Sequence, residues 1–295
     1  MKTKIYYLLF TLFAVEGLIL FCKNTINNQV SQNVKNPQVL AATTNLTSSK
    51  TKITDYKFPI LIYHYVENVK DQRDTIRKSL NIPPTVFEDQ IKTLQKNGYI
   101  FVTPKEMDLI KNGQKEVSGR PIIISFDDGY GDFYSDIFPI LKKYQVKAVA
   151  YIVPGFLDKP NYMSWGQVKE ISQSNLVEIG AHTMDHLSLK SLNQTQAQYE
   201  ISQSKKELEQ KLGIQVSSFA YPYGAYNNQA EDLVKSNGFN NASTTNSGIN
   251  DNLSDKYLLH RIHPGARTGN NLIFYIANPT VKIASSNNQN HLTTK

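Results

Sequence analysis

The sequence predicts an α/β fold, a single domain over residues 58–278 shaped as a distorted, incomplete (β/α)7-type barrel. Two observations carry this expectation. Short apolar runs alternate with stretches of helical period along this whole region, and such alternation builds a parallel sheet with right-handed crossovers. Acidic and histidine residues stand directly behind several of the apolar runs, at the strand ends where parallel barrels gather their chemistry.

The elements follow in order. Phe58-Pro-Ile-Leu-Ile-Tyr-His64 is strand-like. From Pro84 to Lys96, Val86, Phe87, Ile91 and Leu94 fall on one helical face, and Asn97-Gly98 stops the helix. Tyr99 to Val102 is a strand, and Pro104 opens a short helix closed by Asn112-Gly113. Pro121 to Phe126 reads as a buried strand, followed by a helix from Phe133 to Tyr144 and a strand from Lys147 to Val153. A helix at Trp165 to Ser172 leads into the strand Leu176 to Ala181. Thr195 to Leu212 is a long polar helix ended by Gly213. A strand at Ser217 to Tyr221, a helix at Gln229 to Ser236, and strands near Phe239 and over Tyr257 to Ile262 complete the series. Residues 279–295 are polar and predict a disordered tail.

The first 57 residues stand apart from this pattern. Lys2 and Lys4 precede an apolar run from Ile5 to Cys22, interrupted once by Glu16. Its length favours a membrane anchor over residues 1–22 with the N-terminus in the cytoplasm, while Glu16 weakens that reading. A cleaved signal is the alternative, with Val39-Leu-Ala41 as a cleavage sequence. Both place the rest of the chain outside the cytoplasm, at the outer face of the membrane or secreted. Residues 23–57, rich in Asn, Gln, Ser, Thr and Lys, read as a flexible tether. Cys22 is the only cysteine, so the exported domain has no internal disulfide and relies on its core. Phe21 before it speaks against lipid attachment.

The chain has 295 residues, 40% of them hydrophobic, and a formal net charge of +7. That is enough apolar material for a proper core. The basic residues are scattered and form no arginine-rich helix, so nucleic acid is not an expected partner; a mild positive balance suits work beside an anionic cell surface. A monomer is expected.

Two motifs carry the chemistry. Ser125-Phe-Asp-Asp-Gly129 follows one predicted strand, and His182-Thr-Met-Asp-His186 follows another. Two imidazoles four residues apart can share one face of a turn, and a carboxylate from a neighbouring strand end completes a three-ligand site. Such a set suits one borderline divalent cation, zinc first, with Co2+, Ni2+, Mn2+ or Fe2+ possible, and leaves a position open for water. The second carboxylate of the Asp-Asp pair points elsewhere and is free to act as a base, which is the logic of metal-assisted hydrolysis. Gly129 lets the backbone turn sharply behind the pair. Each motif alone has a plainer reading, an Asp-Asp-Gly turn or two loop-capping histidines; their joint presence favours the metal site. A two-histidine, one-carboxylate set also describes non-haem iron oxygenases, but those need no second aspartate beside the ligand.

Together the motifs resemble the first two signatures of the polysaccharide deacetylase family, the NodB-homology or carbohydrate esterase 4 group, over roughly residues 58–265. The resemblance implies a distorted barrel, a GlcNAc polymer as substrate, Asp127 as general base, and Asp128, His182 and His186 as metal ligands. Ala220-Tyr-Pro-Tyr-Gly224 is similar to the third family motif, so Pro222 and Tyr223 are expected to line the pocket, with the Tyr223 N–H at the oxyanion. Most members carry an arginine near the start of that motif; Ala220 stands there instead, and Arg261 is the best replacement, with a surface ion pair as its plainer reading. The general acid of the family follows a Leu-x-His pattern at the last strand. Here Leu61-Ile-Tyr-His64 lies at the first, which implies a circularly permuted barrel and resembles the poly-β-1,6-N-acetylglucosamine deacetylase branch. His64 is therefore the expected acid, with His263 and then His260 as alternatives; a core histidine is its plainer reading. A catalytically inactive glycan-binding or wall module on the same fold stays open because of the missing arginine, as do peptidoglycan, chitin and O-acetyl substrates. Tyr130, Tyr162, Trp165 and Tyr226 could stack on sugar rings.

Overall fold

The computed structural model describes residues 56–69, 73–252 and 254–279. The predicted anchor or signal at 1–22, all but the last two residues of the tether, and the tail from residue 280 lie outside the described residues. Among the described residues no helix is long and apolar enough to cross a membrane.

The order is β1 (Ile60–Tyr63), β2 (Tyr65–Val66), α1 (Thr75–Leu80), β3 (Asn81–Ile82), α2 (Pro84–Lys96), β4 (Tyr99–Phe101), α3 (Pro104–Lys111) and β5 (Arg120–Phe126). There follow α4 (Phe138–Tyr144), β6 (Ala148–Ile152), α5 (Trp165–Ser172), β7 (Val177–Ala181), α6 (Gln194–Leu212), β8 (Ser218–Ala220), α7 (Asn228–Ser236), β9 (Asn241–Ser243) and α8 (Gly269–Ala277). The helix starts are written locally. Thr103 with Glu106, Ser164 with Gln167 and Asn193 with Gln196 form reciprocal caps at α3, α5 and α6, each satisfying backbone donors that the first turn leaves free. Pro84 opens α2, where its fixed φ costs nothing. The predicted helix Phe133 to Tyr144 begins instead as one π turn, Phe133–Ile137, before α4.

The main sheet is parallel. Its order is β1-β5-β6-β7-β8-β9, with β4 paired to the first part of β5. The sheet curls until its edges nearly meet. Leu259 bridges to Ser243 on one side and Ile262 to Leu61 on the other. The predicted strand Tyr257 to Ile262 is thus corrected to two single-residue bridges. The chain there runs obliquely from β9 to β1: Leu259 N–H donates to Ala242 at 2.9 Å, and three residues later Ile262 N–H donates to Ile60 at 2.7 Å. No run of residues stays beside one partner long enough to build a ladder.

Both faces of the sheet are apolar, as a parallel sheet covered on both sides requires. The inner face packs Ile60, Ile123, Val149, Tyr151, Ala220 and Leu259, and α3 adds Met107 and Ile110 to this cluster. The Lys105 N–H reaches Glu178 on β7 at 2.9 Å, and Asp108 accepts from Asn241 on β9 at 2.8 Å. The helix therefore stops the barrel at the end where strands begin. Outside, Leu61, Ile122, Ile124, Ile179 and Phe219 meet the apolar stripes of α2, α5 and α6. The pair β2–β3 and helices α1 and α8 had no sequence signal. Two-residue strands carry no period, and α8 is recognised only through its packing on α2.

Candidate active site

The site forms where β1, β5 and β7 end. Asp127 and Asp128 follow β5, and the backbone turns over at once: Asp128 has φ 76° and Gly129 φ 81°. His182 follows β7, and the loop behind it carries two more left-handed residues, Thr183 (φ 60°) and His186 (φ 59°). Such angles are unfavourable for side-chain-bearing residues, most of all β-branched Thr, and cluster where a site over-determines its backbone.

These turns bring Asp128, His182 and His186 together, with one potential ligand atom from each lying within 4.8 Å of the others. Asp128 Oδ1 lies 3.4 Å from His182 Nε2 and 3.1 Å from His186 Nε2. His182 is 2% exposed and its Nδ1 sits 2.7 Å from the Ala220 carbonyl. Nδ1–H therefore donates, and the bare Nε2 lone pair faces the site, the tautomer a metal ligand needs. Asp128 Oδ1 is buried and accepts no hydrogen bond, a costly state for a carboxylate oxygen unless a cation meets it. The residues fit a divalent ion. Their electrostatics agree: burial opposes charge on His182, yet Asp127 and Asp128 hold its pKa above the ordinary value. Burial likewise pushes Asp128 up, and the two imidazoles overcome it and hold its carboxyl well below the usual range.

Asp127 is 3% exposed and Arg261 0%. Arg261 Nη1 and Nη2 donate to the two carboxylate oxygens at 2.7 and 2.8 Å, a two-pronged fork. Arg261 Nε donates to the Thr244 carbonyl at 2.7 Å, and its Nη1 also reaches Ser125 Oγ at 3.3 Å. Arg261 thus supplies from the closing segment the guanidinium missing at Ala220. It stands behind Asp127, wholly buried, so it is neither a surface ion pair nor a residue open to substrate, and its expected place among substrate contacts is corrected. Burial raises the Asp127 pKa, but Arg261 and His182 win and lower it. Asp127 Oδ2 is 3.9 Å from His182 Nε2.

His64 follows β1 directly beside Asp127, because Tyr63 is in register with Phe126. Its ring is parallel to that of His263, with centroids 6.4 Å apart; the bridge at Ile262 places His263 at the same rim. Burial lowers the His64 pKa more than Asp127 and Asp128 raise it, and burial together with His64 and Arg261 lowers that of His263. His260, expected as a further alternative acid, lies apart from this group, and that expectation is corrected. Its backbone bonds Asn250, which in turn pairs with Phe58 ahead of β1, and its ring lies against Gly248.

Pro222 and Tyr223 lie in a 3-10 turn, Pro222–Gly224, beyond β8, with Tyr223 at φ 59° and 67% exposed. The Tyr223 ring centroid is 4.7 Å from that of His186. Aromatic faces expected to be free for sugars are mostly taken. Tyr130 stacks on both Tyr65 and Tyr162, Lys211 covers Trp165, and Tyr226 leans on Tyr221. Tyr65, with Arg77 over it at 4.4 Å, was missed; nothing in a lone Tyr marks it as a site neighbour.

A curled parallel barrel with a buried aspartate and a candidate Asp-His-His metal site at its strand ends fits a hydrolase. The Polysaccharide deacetylase family model matches residues 114–242. YxkH of Bacillus subtilis (strain 168), whose name places it among polysaccharide deacetylases, is 34% identical over 206 residues, 70% of this chain and 71% of that protein. The chain belongs to the polysaccharide deacetylase family. It is also similar to the poly-beta-1,6-N-acetyl-D-glucosamine N-deacetylase of Staphylococcus aureus (strain MRSA252), 28% identical over 61% of this chain and 67% of that one. The solved structure of the Streptococcus pyogenes deacetylase PplD, in complex with acetate, aligns with a TM-score of 0.69 and 26% identity, over 75% of this chain and 97% of that one.

Proposed function

We propose that this chain is a metal-dependent hydrolase that removes N-acetyl groups from an extracellular polysaccharide containing N-acetylglucosamine, releasing acetate. The observation that carries this is the buried fork between Arg261 and Asp127, set beside the Asp128, His182 and His186 trio. A divalent cation held by Asp128 Oδ1, His182 Nε2 and His186 Nε2, zinc by the character of the donors, supplies Lewis acidity to an acetyl carbonyl when bound.

The chain's own groups do the rest. Asp127, kept ionised at neutral pH, accepts the proton of the attacking water at its carboxylate. The Tyr223 N–H donates to the developing oxyanion. His64 then protonates the leaving sugar nitrogen, without which an amine anion would have to depart. Its lowered pKa makes it a stronger acid and leaves a smaller protonated fraction at neutral pH. His263, beside it, is the second candidate for this proton. An inactive binding module on this fold was motivated by the missing arginine, and Arg261 removes that motive.

The names of relatives support poly-β-1,6-N-acetylglucosamine as the first substrate to try. The test is acetate release from that polymer, chitin oligomers and peptidoglycan, each with added metal. Release from the first above the others is expected; release only from O-acetylated glycans, or from none, overturns the proposal. The apolar run behind Lys2 and Lys4 supports export, with the anchor favoured. Fractionation should find an intact N-terminus in the membrane, whereas a mature chain starting at Ala42 in the medium shows cleavage.

A further inference from the structure

We infer that Glu200, on α6, is the positioning residue that holds His186 in place and so sets the metal affinity of the trio. This rests on the assignment of that trio as a metal site.

The two histidines are held differently. His182 follows β7 without a break, and the Ala220 carbonyl fixes its ring. His186 stands at the far end of a loop with two left-handed residues, and its ring meets Tyr223 and Phe156 only as aromatic neighbours, with centroids 4.7 and 6.1 Å away. Among the described residues no carbonyl or carboxylate holds its second ring nitrogen. Its position is therefore inherited from the backbone of residues 183–185.

That backbone is clamped from both sides. Glu200 is 3% exposed and its Oε2 accepts the Asp185 N–H at 2.9 Å. The Met184 N–H and the Thr183 hydroxyl face the same carboxylate, although Thr183 Oγ1 lacks the geometry of a full hydrogen bond. On the opposite side the Gly155 N–H donates to the Met184 carbonyl at 2.9 Å. A Cβ on Gly155 would lie 2.3 Å from Asp185 Oδ1, so the loop has no room to move that way.

A buried carboxylate without a cationic partner is expensive. Among the described residues Glu200 makes no ion pair, and the groups that meet its carboxylate are the loop donors. The helix that carries it is 19 residues long and capped at its start by Asn193 and Gln196. A glutamate on a polar helix reads from sequence as a solvated residue, and only its burial against the loop shows otherwise. Groups that orient a ligand from behind are typically worth about 10- to 100-fold in metal affinity.

The experiment compares wild type with Glu200→Ala, Glu200→Asp and Glu200→Gln. Zinc affinity is measured by competition with a chromophoric chelator, thermal stability on the metal-free proteins, and acetate release at saturating zinc. Glu200→Ala should weaken zinc binding by about 10- to 100-fold and recover most of its turnover when zinc saturates. Glu200→Asp, which keeps the charge but cannot reach the Asp185 N–H, should follow it. Glu200→Gln retains an acceptor oxygen and should stay within a few-fold of wild type. A purely structural glutamate would lower stability and leave zinc affinity unmoved. Unchanged affinity in folded Glu200→Ala, or in Glu200→Asp should the alanine variant not fold, overturns the inference. A loss in Glu200→Gln as large as in Glu200→Ala does so as well. Failure of the wild type to bind zinc, or binding indifferent to His186→Ala, identifies the trio assignment itself as the fault.

Discussion

The two ends of the barrel are built to different rules. At the end where strands begin, α3 closes the interior, and the acidic side chains there are all answered, although Asn241 Oδ1 is buried without a hydrogen bond. Glu106 closes the cap with Thr103 and pairs with Lys115 and Lys147. Asp108 bonds Asn241, and Glu178 bonds Ser218 and Lys105. A cavity of about 590 Å³ opens beside it, lined by Tyr56, Pro59, Tyr99, Arg120 and Ile276, yet it holds no constellation of acids, bases or ligands. The other end breaks rules. Asp128, Thr183, His186 and Tyr223 all take left-handed backbone angles, and Asp128 Oδ1 and Thr183 Oγ1 are buried without hydrogen bonds. A large cavity is therefore a poor guide to the chemistry here. The end where strands begin has its own left-handed residues, Gln145 (φ 52°) and Asn175 (φ 60°); what sets the other end apart is that such residues and an unanswered carboxylate oxygen converge on one Asp-His-His cluster.

The largest test of that contrast is loss of the trio. Asp128→Ala, His182→Ala and His186→Ala should each abolish metal binding and activity, while Asp127→Asn abolishes activity and keeps the metal. Elemental analysis of the purified variants decides between them. Metal lost with Asp127 and kept without Asp128 would reverse the two roles.

Next in size is His64→Gln. Turnover on the N-acetyl polymer should fall by roughly 10²–10⁴ with metal content unchanged, and by less on an aryl acetate, whose leaving group needs little protonation. His263→Gln should cost less on both. The substrate-selective loss appearing in His263→Gln instead would move the acid to the closing segment.

Arg261→Lys tests the buried fork. Lysine keeps the charge but cannot make two parallel bonds to Asp127. Asp127 has a depressed pKa, so the stability its pairing contributes is present above the ordinary carboxylate value and lost as pH falls through the lower folded one. Weakening the pair lets burial raise that pKa. The acid limb of kcat/KM should then move to higher pH, and an unmoved limb would show that Arg261 does not set the base.

The smallest effect on catalysis belongs to the structural end. Glu106→Gln should cost about 1–3 kcal/mol of stability in chemical denaturation and leave kcat unaltered. A fall in kcat at full metal occupancy would mean that the two ends are coupled.

Much of this was legible in the sequence because it is local. Caps at Thr103, Ser164 and Asn193 lie within three residues of what they bond, so helix starts were readable to within a residue. Asp127-Asp128 and His182/His186 are short motifs on strand ends, and strand ends of a parallel barrel converge. The partnership of Arg261 with Asp127 spans 134 residues, and that of Glu200 with the histidine loop joins a helix to a turn. No period or cap records either contact. The place of His263 beside His64 depends on how far the sheet curls before Ile262 meets Leu61. The sequence by itself determined the α/β class, most element boundaries and the identity of the metal and base candidates, because those depend on neighbours in the chain. The tertiary structure alone decided which guanidinium stands behind Asp127, which histidines share the rim, and which side chain packs behind the histidine loop. Closure of the barrel brings distant residues into contact, and distant contacts leave no local trace.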